Sequence, residues 1–123
     1  LNALYIRFSR CYQKIIIYLD ETVITINNMD EKQPTEVFDI RVDRKTIFGN
    51  PFRINDESER DKMLDRYEEY FYQRLENDAD FRNAVNYLIE VYKKYGKLNL
   101  FCWCYPKRCH SETIRKYILK VNI

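Results

Sequence analysis

A chain of 123 residues, 46% hydrophobic and 33% charged, is expected to fold as a single globular domain and not to be a disordered protein. Its net charge of only +2 argues against a protein that binds nucleic acid with its whole surface. The longest apolar run near the start, Ile15 to Leu19, is too short for a membrane span or a secretory signal. A cytoplasmic protein with reduced thiols and no membrane partner is therefore expected.

Residues 1–33 are expected to form an N-terminal extension, and residues 34–123 a single α/β domain. Two readings of the extension stand side by side. Met29 precedes the polar stretch Asp30-Glu31-Lys32-Gln33-Pro34, so residues 1–28 read as an alternative-start segment ahead of a domain beginning near Met29. Alternatively, the β-rich runs Lys14–Tyr18 and Thr22–Ile26 flank Leu19-Asp20-Glu21 as a hairpin.

Val37–Val42 alternates apolar and polar side chains and predicts a strand. Next comes a turn, Gly49-Asn50-Pro51-Phe52, in which Pro51 restricts Asn50 to extended geometry and holds its side chain in a defined direction. Ser58 is the expected cap of a helix with Leu64, Tyr67, Phe71 and Leu75 on one face. A second helix is expected from Asp78 or Asp80, with Phe81, Ala84/Val85, Leu88, Val91/Tyr92 and Tyr95 turned inward and Gly96 as its stop. Leu98–Trp103 is mostly apolar and predicts a central strand. A last helix, Ser111 to Val121, would bury Ile114, Tyr117, Ile118 and Val121. This order predicts a small α/β domain with a mostly parallel sheet flanked by helices.

Between the last strand and the last helix lies Cys102-Trp103-Cys104-Tyr105-Pro106-Lys107-Arg108-Cys109-His110, with three of the four cysteines and the only histidine. Charge is uneven around it: Asp56–Asp80 holds ten acids and four bases, whereas eight bases and one acid lie from Lys93 onward. Three chemistries follow. Cys102, Cys104, Cys109 and His110 are a possible zinc set of the Cys3His type, although an adjacent Cys-His pair is a poor spacing for one metal. Ser111 and the start of the last helix, beside Lys107 and Arg108, suit an anion, with Arg44 and Asn50 facing it if both strands run parallel. Cys109 near a helix N-terminus is a candidate nucleophile, with His110 as a candidate acid–base group.

The order Arg41-Val42-Asp43-Arg44, Gly49-Asn50-Pro51-Phe52, then Cys102-Trp103-Cys104-Tyr105-Pro106 with Cys109-His110, resembles a domain-of-unknown-function family found in phages and bacteria. The family's signature is an Arg, a GNPF turn and a C-x-C-x-P-x-x-C-H segment before the last helix. The resemblance spans Val37 to Leu119. Ser111-Glu112 stands where the family often has Gly-Asp, so Glu112 would take the place of that acid. The family is similar in outline to small Rossmann-like domains, which implies a nucleotide-like ligand. By analogy, Arg44, Asn50, Cys102, Cys104, Cys109 and His110 are the expected site.

The leading expectation is a domain that binds or processes a phosphorylated or nucleotide-derived small molecule. Arg44, Lys107 and Arg108 would contact phosphate, Asn50 a sugar or base, and His110 would exchange a proton. The alternatives are a zinc-containing module that binds nucleic acid, and a phage-type protein that docks on a host target through exposed tyrosines such as Tyr70 and Tyr72.

Overall fold

The computed structural model describes residues 23–122, and its centre is Leu98–Cys102, strand β3. Strands β1 (Ile24–Asn28) and β2 (Asp39–Arg41) pair with it in parallel on either side, giving the order β1-β3-β2. Ile26 and Ile40 flank Leu100 in register. Leu98, Leu100, Phe101 and Cys102 are all buried, as a near-continuous apolar run in a central parallel strand should be. Asn99 is the polar exception, and its amide is satisfied across the sheet. Thr25 Oγ1 donates to Asn99 Oδ1 and Asn99 Nδ2 donates to Asp39 Oδ1, each at 2.7 Å.

Strand β2 is shorter than the alternation predicts. The carboxylate of Asp39 accepts the N–H groups of Thr35 and Glu36, both at 3.0 Å, and so bends the chain just ahead of the strand. Val37 is left exposed by that bend. Strand β1 lies within the stretch expected as an N-terminal extension, and Ile24 is fully buried. The boundary expected after residue 33 therefore runs between two strands of one sheet. Lys14–Tyr18, the first half of the expected hairpin, lies outside the described residues.

Three helices complete a mixed α/β domain: α1 (Arg60–Asn77), α2 (Ala79–Tyr95) and α3 (Ser111–Val121). A short 3-10 turn, Glu57–Glu59, leads into α1. Asp56, not Ser58, is the cap: its carboxylate accepts the Ser58 N–H while Glu59 accepts the Asp56 N–H, reciprocal bonds that place Ser58 inside the turn. Asp78 joins α1 to α2. Its carboxylate accepts the Phe81 N–H at 3.1 Å and is held by Arg74 at 3.0 Å, so its pKa falls below the ordinary value. Helix α2 stops at Gly96, whose φ of 71° is left-handed.

The helical faces meet over the sheet. Tyr67 and Phe71 of α1 pack with Phe81, Val85 and Leu88 of α2 and Ile114 and Ile118 of α3. Phe71 meets Phe81 and Tyr117 edge-on at 5.3 and 5.4 Å between ring centres. Two positions depart from the expected stripes. Val121, the last residue of α3, is exposed while Leu119 is buried. Tyr95, near the end of α2, is also exposed and its ring leans on Phe38 at 5.9 Å.

Candidate functional site

Because β2 and β3 are parallel neighbours, the segments leaving them turn over the same edge of the sheet. Between these segments lies a cavity of about 250 Å³. Arg44, Asn50, Cys102, Cys104, Cys109 and His110 all line it, so the structure brings together residues from two distant sequence motifs.

The GNPF turn shapes one wall through close backbone contact. A Cβ on Gly49 would lie 2.7 Å from the Arg44 Cα and 2.9 Å from its carbonyl oxygen, so only glycine fits. Asn50 is buried. Its Oδ1 accepts the Phe52 N–H at 2.9 Å, closing an Asx turn, and its Nδ2 faces Met63 Sδ. The Arg44 guanidinium in turn donates to the Asn50 and Phe52 carbonyls at 2.5 and 2.9 Å. Arg44 is thus braced by the turn, and these two carbonyls are its hydrogen-bond partners among the described residues.

The opposite wall is the cysteine-rich segment. Cys102 Sγ and Cys109 Sγ lie 3.3 Å apart, both enclosed, while Cys104 is half-buried. Hydrogen bonds from Cys104 and Cys109 lower the pKa of Cys102, whereas that of Cys109 is raised, first by Cys102 and further by burial. The cluster therefore favours one shared thiolate, centred on Cys102, with its neighbours held as thiols.

His110 is buried against Tyr67, with ring centres 5.0 Å apart. Its Nε2 meets the Val42 carbonyl. A carbonyl only accepts, so Nε2 carries the proton, and burial lowers the pKa so that the ring stays neutral. His110 lines the cavity, and with Nε2 donating to Val42 the neutral ring keeps Nδ1 as its acceptor. No hydrogen bond joins His110 to Cys109; the imidazole turns to Val42 and the thiol to Cys102.

A family profile described as a domain of unknown function, DUF4326, matches residues 26–120. The chain belongs to this family. The match runs from within β1 almost to the end of α3 and so contains every residue lining the cavity. Neither curated proteins nor solved structures give a match.

In this DUF4326 domain, Lys107 and Arg108 stand away from the cavity. Lys107 pairs with Glu57 at 3.2 Å, and Arg108 with Asp61 at 2.7 Å and Glu112 at 3.1 Å. These bonds dock the basic segment on the acidic start of α1. Ser111 is fully buried at the first turn of α3, where its Oγ has no partner and makes no cap. Glu112 does the capping, accepting the Cys109 N–H.

Sequence reasoning did not find Arg60. It lines the cavity, held by Glu57 at 2.8 and 3.0 Å and by donation to the Arg108 carbonyl at 2.8 Å. The Arg60 hydrogen bonds, with help from Lys107, hold the Glu57 carboxyl down to about 2. A cation in the first turn of a helix opposes the helix dipole, and that was the available signal. Asp43 was also missed. It is buried, accepting from Arg41 at 3.2 Å and from the Trp103 indole N–H at 3.0 Å. Burial pushes its pKa up, but these bonds outweigh burial and keep it ionised.

The Cys3His set weighed from sequence as a possible zinc site is not brought together as one: among the described residues no group of three or more His, Cys, Asp or Glu side chains is placed to hold a metal. No described helix is long and apolar enough to cross a membrane.

Proposed function

We propose that this domain binds a small phosphorylated, nucleotide-derived molecule in the cavity at the carboxyl ends of β2 and β3. The observation that carries the reading is the placement of Arg44 and Arg60 in one cavity wall system with a neutral histidine, at a parallel strand edge. Rossmann-like domains use the same edge for their ligands. Arg44 and Arg60 supply charge-assisted donors to phosphate oxygens. Phe52 and Trp103 offer aromatic faces to a base or sugar. His110 Nδ1 accepts a proton from a ligand hydroxyl, the position from which it would act as a general base if the ligand is turned over. A volume of about 250 Å³ is slightly below the usual range for drug-sized ligands, roughly 300–1,000 Å³, and so favours a mononucleotide or sugar phosphate over a dinucleotide.

Calorimetric titration with inorganic phosphate, ribose 5-phosphate and AMP tests the reading. Binding of ribose 5-phosphate or AMP is expected, with phosphate alone weaker. Arg60→Ala should weaken it by roughly 10- to 100-fold, the equivalent of about 1.5–3 kcal/mol for a charge-assisted hydrogen bond. Absence of binding by all three, or equal binding by the variant, would overturn the proposal.

A further inference from the structure

The three thiols form a group that ligand binding does not account for. Cys102 closes β3 and Cys109 immediately precedes His110, the cap residue of α3, so their two sulfurs bridge the ends of the intervening loop at 3.3 Å. A disulfide is about 2.05 Å long, so bonding requires an approach of little more than ~1 Å. Both residues are only 1% exposed, so a dissolved oxidant reaches their sulfurs less readily than that of half-buried Cys104. Cys104 is half-buried and in reach of Arg60; the cluster's thiolate rests on Cys102, so Cys104 becomes the nucleophile when its proton passes to that neighbour.

We infer that Cys102 and Cys109 form a reversible disulfide, and that Cys104 is the thiol that first meets a hydroperoxide oxidant. Cys104 passes its proton to the Cys102 thiolate and attacks the hydroperoxide, the O–O bond breaks, and an alcohol (or water, from hydrogen peroxide) leaves after protonation. The product is a sulfenic acid on Cys104. The Cys109 sulfur attacks the sulfenic sulfur, forming an S–S bond and releasing water. Cys102 then attacks the Cys109 sulfur of that bond and expels Cys104 as a thiolate. In sum, two thiols become one disulfide while the hydroperoxide is reduced to an alcohol and water. Cys104 is returned unchanged. The inference is independent of which ligand the cavity takes.

The test uses the full chain, reduced, exposed to hydrogen peroxide and alkylated before intact and tryptic mass analysis. The expected product is lighter by two hydrogens, retains two alkylatable thiols, and links peptide Leu98–Lys107 to peptide Cys109–Arg115. Dithiothreitol should reverse it. Cys104→Ser should form the same link more slowly, by roughly tenfold or more, because the most exposed sulfur is gone. Four alkylatable thiols after oxidation would overturn the inference, as would a bridge inside Leu98–Lys107 or one involving Cys11. A Cys104→Ser variant that forms no bridge even on long exposure would show that Cys104 itself pairs with Cys109. An undiminished rate would remove Cys104 from the pathway.

Discussion

Replacing Gly49 with alanine tests whether the GNPF turn is built on backbone contact. The added methyl would meet the Arg44 Cα, carbonyl oxygen and carbonyl carbon at 2.7, 2.9 and 3.0 Å. Carbon atoms pack comfortably at roughly 3.5–4.0 Å, so the two segments must separate by about 0.5–1 Å. All three atoms are backbone, and no side chain can swing aside to relieve the contact. Overpacking of this kind costs about 1–3 kcal/mol. Against it stands the loss of unfolded-state freedom on changing Gly to Ala, a gain of about 0.4–1 kcal/mol. The net expectation, the difference of those two effects, is destabilisation of up to about 2.6 kcal/mol, centred on about 1 kcal/mol. Urea denaturation followed by circular dichroism should show a lower midpoint with an unchanged slope. The displaced Arg44 should also weaken AMP binding. A midpoint equal to or above that of the parent chain would refute the steric argument. Gly96 is the useful contrast: a Cβ there meets nothing within 4 Å, so any loss in Gly96→Ala comes from its φ of 71° alone.

Three further outcomes are expected. Burial lowers the pKa of His110, so as pH falls through its ordinary value of 6.5 the unfolded chain takes up the proton first and stability is lost. Stability should be level just above 6.5 and decline below it; His110→Phe, which removes the chain's only histidine, should abolish that decline down to the carboxylate range, and an unchanged profile would contradict it. Tyr67→Phe removes the hydroxyl that donates to the buried Phe48 carbonyl at 2.7 Å and should cost about 1–3 kcal/mol by leaving the acceptor unpaired, read by calorimetric melting. Ile24→Ala should cost about 2–5 kcal/mol, and deletion through Asn28 should prevent folding; a well-folded chain beginning at Met29 would show that β1 is dispensable.

The architecture was legible where the pattern was long. The Tyr67–Phe71 and Val85–Leu88 stripes, the Gly96 stop and the apolar run of β3 each carry a local signal that tertiary contacts reinforce. Strand β2 was overextended because alternation cannot register a carboxylate, Asp39, folding back on two preceding amides. The site followed the same division. Asn50, Cys102 and His110 could be placed because parallel strands carry their loops to a common edge. Lys107 and Arg108 fall outside the cavity lining for a physical reason: composition counts their charge, but only the fold shows that Glu57 and Asp61 pair with them. Arg60 was hidden by the converse, a cation in an acid-rich stretch that reaches the cavity from a helix no motif touches.

Trp103 is the chain's only tryptophan, half exposed at the cavity rim with its indole N–H on Asp43. The protein therefore carries its own optical reporter at the place of interest. Light to the red of the absorption of the eleven tyrosines excites this one ring, whose emission answers to local polarity and to the state of nearby sulfur. Ligand entry, loosening of the Asp43 anchor in acid and oxidation of the neighbouring thiols would each alter its colour or brightness. A single unlabelled sample in a cuvette can then follow occupancy, protonation and redox state in real time.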